Sequence, residues 1–177
     1  LPKVNEVTLR REKLDSLFKI YKPLEYYATY ISIKGENLNV VAIRGGKKAV
    51  HDLVMNLGAL EKKDISQKQE DVMIAMQVVN EMMARGIEFL PVDIYISEAT
   101  MAVVEDGKIR LPFSSLDGAG KTAVIALRNA RDDGAGKFIS VEDLQRRARV
   151  TTPVITALEA AGALKDLPKS TQISFFD

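Results

Sequence analysis

The sequence contains no cysteine and a single histidine, His51, among its 177 residues. The absence of cysteine excludes disulfides, thiolate zinc sites and a cysteine nucleophile, and one histidine cannot form a histidine metal cluster. No apolar run approaches the ~20 residues that a helix needs to cross a bilayer, so no membrane partner is expected. The first residues also lack the apolar centre of a signal peptide. These absences favour a cytoplasmic protein.

Neither sign of charge dominates, because 25 basic residues face 24 acidic ones and the formal net charge is +1. A strongly basic or acidic tail is therefore excluded, and any contact with nucleic acid must come from local segregation of charge. A content of 46% hydrophobic and 28% charged residues is typical of a soluble globular chain. The chain begins with Leu1 rather than Met, which suggests a piece of a longer protein.

Hydrophobic periodicity predicts a mainly α fold with one small β-hairpin, an α+β class. A polar connection near residue 66 separates a helical segment, 1–65, from the rest, and a methionine-rich helix over 70–85 stops at Gly86. The Asp106-Gly107 turn predicts a hairpin with arms at 101–104 and 108–111. Short helices follow, the last with Thr152 as its N-cap. No internal repeat is evident.

The stretch LDGAGKTA, residues 116–123, resembles the end of a nucleotide-binding P-loop. A P-loop needs a glycine five residues before the Gly-Lys-Thr element, and that position holds Ser115. The strand before it is short and interrupted by Pro112, and no later strand ends in a carboxylate that could hold magnesium. The P-loop interpretation is therefore disfavoured.

A helix-hairpin-helix turn, of the form hydrophobic-x-Gly-hydrophobic-Gly, fits these residues better. Leu116, Gly118, Ala119 and Gly120 occupy its positions. Glycines allow a tight turn and leave no Cβ between the backbone amides and a phosphate. The following helix directs its free amides and its positive dipole end to the same anion. Lys121 adds a charge there, and Arg128 and Arg131 follow one and two turns later.

Local charge agrees with a polyanionic partner. Residues 108–149 contain nine basic and five acidic side chains, a net charge of +4 in a nearly neutral chain. Contacts of this kind reach the sugar-phosphate backbone, so binding should be independent of base sequence and sensitive to salt. The alternative is a helical hairpin whose glycines only cap helices.

The last residues place a polar side chain, an aliphatic one and two aromatics within five positions: Gln172, Ile173, Ser174, Phe175 and Phe176. Two phenylalanines in a free tail are unfavourable in water unless a partner buries them, at ~1.5–3 kcal/mol each. The composition suits a short linear peptide that inserts into an apolar pocket. The alternative is that the phenylalanines pack onto the core of this domain.

Several stretches resemble the C-terminal region of the bacterial replicative DNA polymerase III alpha subunit of the PolC type. They are FKIYKPLEYYATYISIKG, RGIEFLPVDIYISEAT, IRLPFSSLDGAGKTAVIALRNAR, FISVEDLQRRARVTTPVITALEAAGALKDLP and QISFF. The resemblance covers residues 18–177. It implies the end of the fingers over 1–65, a helix-hairpin-helix domain that binds duplex DNA over 66–168, and a flexible tail over 169–177.

The resemblance also implies roles for single residues. It assigns phosphate contact to Gly118, Gly120, Lys121 and Thr122. The residue pattern described above adds Ala119 within the turn and Arg128 and Arg131 along the helix to the expected DNA-binding residues. The tail is similar to the Gln-x-Leu-Ser-Leu-Phe peptide that binds the bacterial sliding clamp, with Gln172, Ile173, Ser174, Phe175 and Phe176 at the matching positions.

No catalytic residue is expected in this chain. Nucleotidyl transfer needs clustered carboxylates that hold two magnesium ions, and Asp93 is isolated while Asp132-Asp133 lies in a glycine-rich loop. In the family, the acids and their magnesium belong to the upstream palm, so no cofactor is expected here. Two alternatives remain: a helix-hairpin-helix module of a repair or nuclease protein, and a protein-interaction domain without nucleic-acid binding.

Overall fold

The computed structural model describes residues 6–170, with side chains from residue 11 onward. Helices dominate this part of the chain, as the sequence predicts. Their bounds are α1 Glu6–Tyr21, α2 Pro23–Lys34, α3 Val40–Gly45, α4 Lys47–Gly58, α5 Gln67–Ala84, α6 Lys121–Arg131, α7 Val141–Ala148 and α8 Thr152–Ala160. Two 3-10 turns, Gly35–Asn37 and Phe113–Ser115, complete the helical elements of the described residues. None of the helices between residues 6 and 170 is long and apolar enough to cross a membrane.

The long helix α5 begins three residues before the predicted start at Glu70. Ser66 and Gln69 form a capping box, in which the Ser66 side chain accepts a hydrogen bond from the Gln69 amide and the Gln69 side chain accepts one from the Ser66 amide. Both residues thereby satisfy amides that the first turn leaves free, which extends the helix in the N-terminal direction. At its other end the chain leaves through Gly86, whose φ of 82° is the left-handed conformation that glycine favours.

Three short strands form the sheet, in the order β1-β3-β2. The hairpin strands β2 Val103–Glu105 and β3 Lys108–Arg110 pair in antiparallel fashion around the Asp106-Gly107 turn. This confirms the predicted hairpin, although its arms are 103–105 and 108–110 rather than 101–104 and 108–111. The two turn residues have φ values of 50° and 74°, as a tight two-residue turn requires. Strand β1, Phe89–Leu90, adds a parallel neighbour to β3 that no sequence pattern predicted.

Buried apolar residues form one core that extends from Tyr27 in α2 to Leu164 after α8. Helix α4 packs against α5, although they lie on either side of the predicted division at residue 66. The division into 1–65, 66–168 and 169–177 stays a prediction.

The last helix differs by one residue from its predicted start. Thr151 rather than Thr152 is the N-cap, Thr152 is the first helical residue, and no side chain caps the helix. Pro153 then occupies the first turn, where the missing amide costs nothing. Gly162, with φ of 76°, follows the end of α8.

Candidate nucleic-acid interface

The predicted hairpin lies between a 3-10 turn and α6. Its first element is a single 3-10 turn, Phe113–Ser115, rather than an α-helix. Leu116 is buried, so it anchors the turn in the core. The chain then reverses at Gly118, with φ of 69°, and the Ala119 amide donates to the Leu116 carbonyl at 3.2 Å. The tip of the hairpin is exposed at Asp117, Gly118 and Gly120.

Helix α6 begins at this exposed tip. Gly120 is its N-cap and offers no side chain to the first amides, which the helix itself also leaves without acceptors. Lys121 and Thr122 are exposed, and the first turn contains no acidic residue. A Cβ added at Gly120 would meet no atom within 4 Å. The N-terminal end of α6 is thus open to solvent and carries the partial positive charge of the helix dipole, which favours an anion.

Backbone hydrogen bonds fix the segment that leads into the hairpin. The Phe113 amide donates to the Glu98 carbonyl and the Ser114 amide to the Ala99 carbonyl, both at 2.9 Å. The buried Ser97 hydroxyl donates to the Leu111 carbonyl at 2.7 Å. Residues 97–99 therefore bind the chain immediately before the hairpin through both backbone and side-chain hydrogen bonds.

The two predicted arginines of α6 differ in accessibility. The Arg128 side chain is 48% exposed and lies 3.3 Å from carboxylate oxygens of both Glu98 and Asp132. The Arg131 side chain is only 11% exposed and donates to the Ser97 carbonyl at 2.6 Å and to Asp132 at 2.8 Å. Phosphate contact by either arginine stays a prediction, and Arg128 is the more accessible of the two.

Most of the basic side chains in the positively charged segment 108–149 form ion pairs within the fold. Six of the nine basic side chains between 108 and 149 have carboxylate partners: Lys108, Arg110, Arg128, Arg131, Arg146 and Arg147. Lys137 lies over the Tyr95 ring, with its Nζ 5.5 Å from the ring centroid. The side chains of Lys121 and Arg149 have no hydrogen bond or ion pair with the described part of the chain. Few basic side chains of this segment are therefore available to a partner, and one of them, Lys121, lies at the hairpin.

A five-residue repeat contradicts the expectation that the chain has none. The pentapeptide Asp-Gly-Ala-Gly-Lys occurs at 117–121 and again at 133–137. The first copy leads into the N-terminal end of α6, and the second follows its C-terminal end. Since a helix carries partial positive charge at its first turn and partial negative charge at its last, the two copies offer an anion opposite environments.

Polar groups of the second copy are also engaged in hydrogen bonds and an ion pair within the fold. The Asp133 carboxylate accepts the Ala135 amide at 2.8 Å, and its two oxygens pair with the Arg147 guanidinium at 2.6 and 3.1 Å. Arg147 donates in addition to the Gly136 carbonyl at 3.1 Å and lies 4.4 Å from the Phe138 ring centroid. The hydrogen-bonded guanidinium, with a smaller contribution from the Ala135 amide, holds the pKa of Asp133 below its ordinary value. The second copy is therefore a structural turn.

The predicted clamp-binding residues, Gln172, Ile173, Ser174, Phe175 and Phe176, lie outside the described residues. The chain just before them is held against α7. The Val141 amide donates to the Pro168 carbonyl at 2.8 Å, and the Glu142 amide donates to the Lys169 carbonyl at 3.3 Å. Both bonds satisfy amides of the first turn of α7.

Comparison with known proteins agrees with this geometry. Residues 86–173 match the helix-hairpin-helix motif family. The chain is 35% identical over 159 residues to the PolC-type DNA polymerase III of Caldanaerobacter subterraneus and 36% identical over 159 residues to that of Thermotoga maritima. It is 31% identical over 160 residues to that of Staphylococcus aureus. Each match covers 90% of this chain and 11% of the relative.

The exposed glycine turn and the family match together define a helix-hairpin-helix domain within the chain. The chain matches PolC-type DNA polymerase III at 31–36% identity over 90% of its length, which confirms the resemblance, and spans about a ninth of the length of the curated relatives it matches.

Proposed function

We propose that this chain binds duplex DNA through backbone phosphates at the hairpin formed by residues 116–122. The observation that supports the proposal most strongly is the open N-terminal end of α6, where Gly120 leaves the first amides uncapped and Lys121 has no partner among the described residues. Such a site contacts phosphate oxygens that are the same at every base pair, so binding is independent of sequence.

The tail completes the proposal. Residues 172–176 bind the bacterial sliding clamp and so tether the polymerase to DNA. Backbone contacts alone have Kd values of ~10⁻⁴–10⁻⁶ M at physiological salt. Weak contacts suffice in this arrangement, because tethering raises the effective concentration of DNA at the hairpin.

In the whole protein this segment accompanies a DNA-directed DNA polymerase that works in the bacterial cytoplasm at the nucleoid-associated replisome. Nucleotidyl transfer and its magnesium ions belong to the palm of that protein. The chain described here binds the product duplex and the clamp.

Substitution of Gly120 tests the hairpin directly. Space around Gly120 is open and its φ of −68° is accessible to any residue, so Gly120→Asp and Gly120→Asn should both fold. The two side chains have nearly the same shape, and only aspartate places a negative charge where a phosphate would bind. Fluorescence anisotropy with a labelled duplex should show binding abolished in Gly120→Asp and retained at least in part in Gly120→Asn. Equal binding by Gly120→Asp and the unmodified chain would refute the hairpin site.

The same assay separates the alternative functions. A repair or nuclease module would prefer branched or nicked DNA to plain duplex in a competition experiment. A protein-interaction domain would give no anisotropy change at either low or high salt. The proposal requires binding to plain duplex that weakens as salt rises.

The tail is tested separately with a peptide of residues 168–177 and a purified bacterial sliding clamp. Phe175→Ala and Phe176→Ala should each remove most of the binding, because each removes a side chain whose burial contributes ~1.5–3 kcal/mol. Undiminished binding by both variants would exclude this mode of tethering and would leave the hairpin proposal intact.

A further inference from the structure

Both ends of α6 connect to the same short segment, residues 97–99. At its N-terminal end, α6 follows the hairpin, and the hairpin follows Phe113 and Ser114, whose amides donate to the carbonyls of Glu98 and Ala99. At its C-terminal end, Arg131 donates from Nη1 to the Ser97 carbonyl at 2.6 Å. Hairpin, helix and segment therefore form a closed loop of contacts.

Arg131 closes this loop, and each of its three guanidinium nitrogens donates at least one hydrogen bond. Besides Ser97, its Nη2 lies 3.4 Å from the Glu98 carboxylate, and Nε donates to Asp132 at 2.8 Å. A planar guanidinium bound to several acceptors holds a fixed direction, unlike a flexible ammonium group. The contact therefore fixes the far end of α6 relative to the segment on which the hairpin is mounted.

We propose that Arg131 is a positioning residue for DNA binding, which sets the direction of the α6 N-terminal end at the phosphate, and that it does not itself contact DNA. This inference rests on the proposed function. Val124, Leu127 and Ala130 bury one face of α6 in the core, and Arg131 adds the directed contact with residues 97–99. Loss of that contact lets the helix shift slightly on the core, so that its first amides and Lys121 leave the orientation in which they meet a phosphate together. Small losses of alignment are costly at sites that depend on preorganised groups.

Arg128 supplies the matched comparison. It has the same chemical group, lies one turn earlier on the same helix, and pairs with the same two carboxylates, Glu98 and Asp132. It differs in being 48% exposed and in having no hydrogen bond to the 97–99 backbone among the described residues. Removing either arginine deletes the same charge, but only removal of Arg131 opens the loop of contacts. The remaining arginine still faces both carboxylates, so each variant should fold.

The test measures duplex affinity over a series of salt concentrations for the unmodified chain, Arg131→Ala and Arg128→Ala, below the unfolding temperature of each. For Arg131→Ala we expect affinity to fall on the order of ten-fold with an unchanged slope of log K against log salt concentration, because no phosphate contact is lost. Loss of a phosphate contact lowers that slope by about 1. Arg131→Lys, which retains a donor for Ser97, should recover part of the affinity and replaces Arg131→Ala if the latter is unfolded.

The outcomes separate this inference from the function on which it rests. A slope reduced by about 1 in the Arg131 variants would make Arg131 a phosphate ligand and overturn the inference. Affinity and slope equal to those of the unmodified chain, with only a lower unfolding temperature, would leave Arg131 a purely structural role and also overturn it. Absence of duplex binding by the unmodified chain would instead contradict the proposed function.

Discussion

Gly35 lies directly against Ser114: a Cβ added to Gly35 would overlap Oγ of Ser114 and would be 3.2 Å from its Cβ. Gly35 follows α2, in the segment predicted to be the end of the polymerase fingers, and Ser114 belongs to the 3-10 turn that begins the hairpin. The contact therefore joins the first part of the chain to the base of the candidate DNA-binding site.

We predict that Gly35→Ala destabilises the fold. The backbone at Gly35 is right-handed helical, so alanine is tolerated locally, and the cost comes from overlap with Ser114. Overpacking of this kind costs about 1–3 kcal/mol. Urea denaturation followed by circular dichroism should show a lower free energy of unfolding.

Ser114→Ala is the control for this prediction. The Ser114 hydroxyl is buried and has no hydrogen-bond partner among the described residues, so its removal alone should be neutral or slightly stabilising. In the double variant, Gly35→Ala should lower the free energy of unfolding by less than it does in the unmodified chain. The reason is that the nearest atom, Oγ of Ser114, has been removed. Additive changes in the free energy of unfolding would show that the two residues are not coupled and would contradict the prediction.

The Asp133–Arg147 pair gives a prediction for acid. The pKa of Asp133 lies below its ordinary value, so the pair contributes stability above the unfolded-state pKa of about 3.9 and loses it as the pH falls through the folded-state pKa. Asp133→Asn should therefore be less stable than the unmodified chain at pH 7, and the difference should narrow on acidification. Free energies of unfolding at pH 7 and pH 3 measure it, and a difference that is the same at both would contradict the prediction.

Local signals in the sequence predicted most of the fold. The Asp106-Gly107 turn and Gly86 were predictable because each requires a backbone conformation that few residues adopt. The start of α5 was missed although Ser66 and Gln69 carry a capping-box signature. The pairing of β1 with β3 could not be predicted, because two-residue strands carry no periodicity and their pairing depends on distant chain.

The open backbone turn of the candidate site was predictable from the sequence, whereas the partners of its basic side chains were not. Gly118 and Gly120 indicated an open turn, and the structure exposes both. Spacing along α6 placed Arg128 and Arg131 together, yet the segment 97–99, which is remote in sequence, engages Arg131. The number of basic residues likewise could not reveal which of them have carboxylate partners. The two Asp-Gly-Ala-Gly-Lys copies cannot be distinguished by their own residues, because the end of α6 that each adjoins decides their environment.

That repeat provides the most direct test of the central claim, that DNA phosphate binds at the N-terminal end of α6. Lys121→Ala and Lys137→Ala delete the same residue from the same pentapeptide at opposite ends of one helix. We predict that Lys121→Ala weakens binding to a plain duplex and lowers the slope of log K against log salt concentration by about 1, while Lys137→Ala leaves the slope unchanged. Equal effects of the two substitutions, or a lower slope only in Lys137→Ala, would contradict the claim.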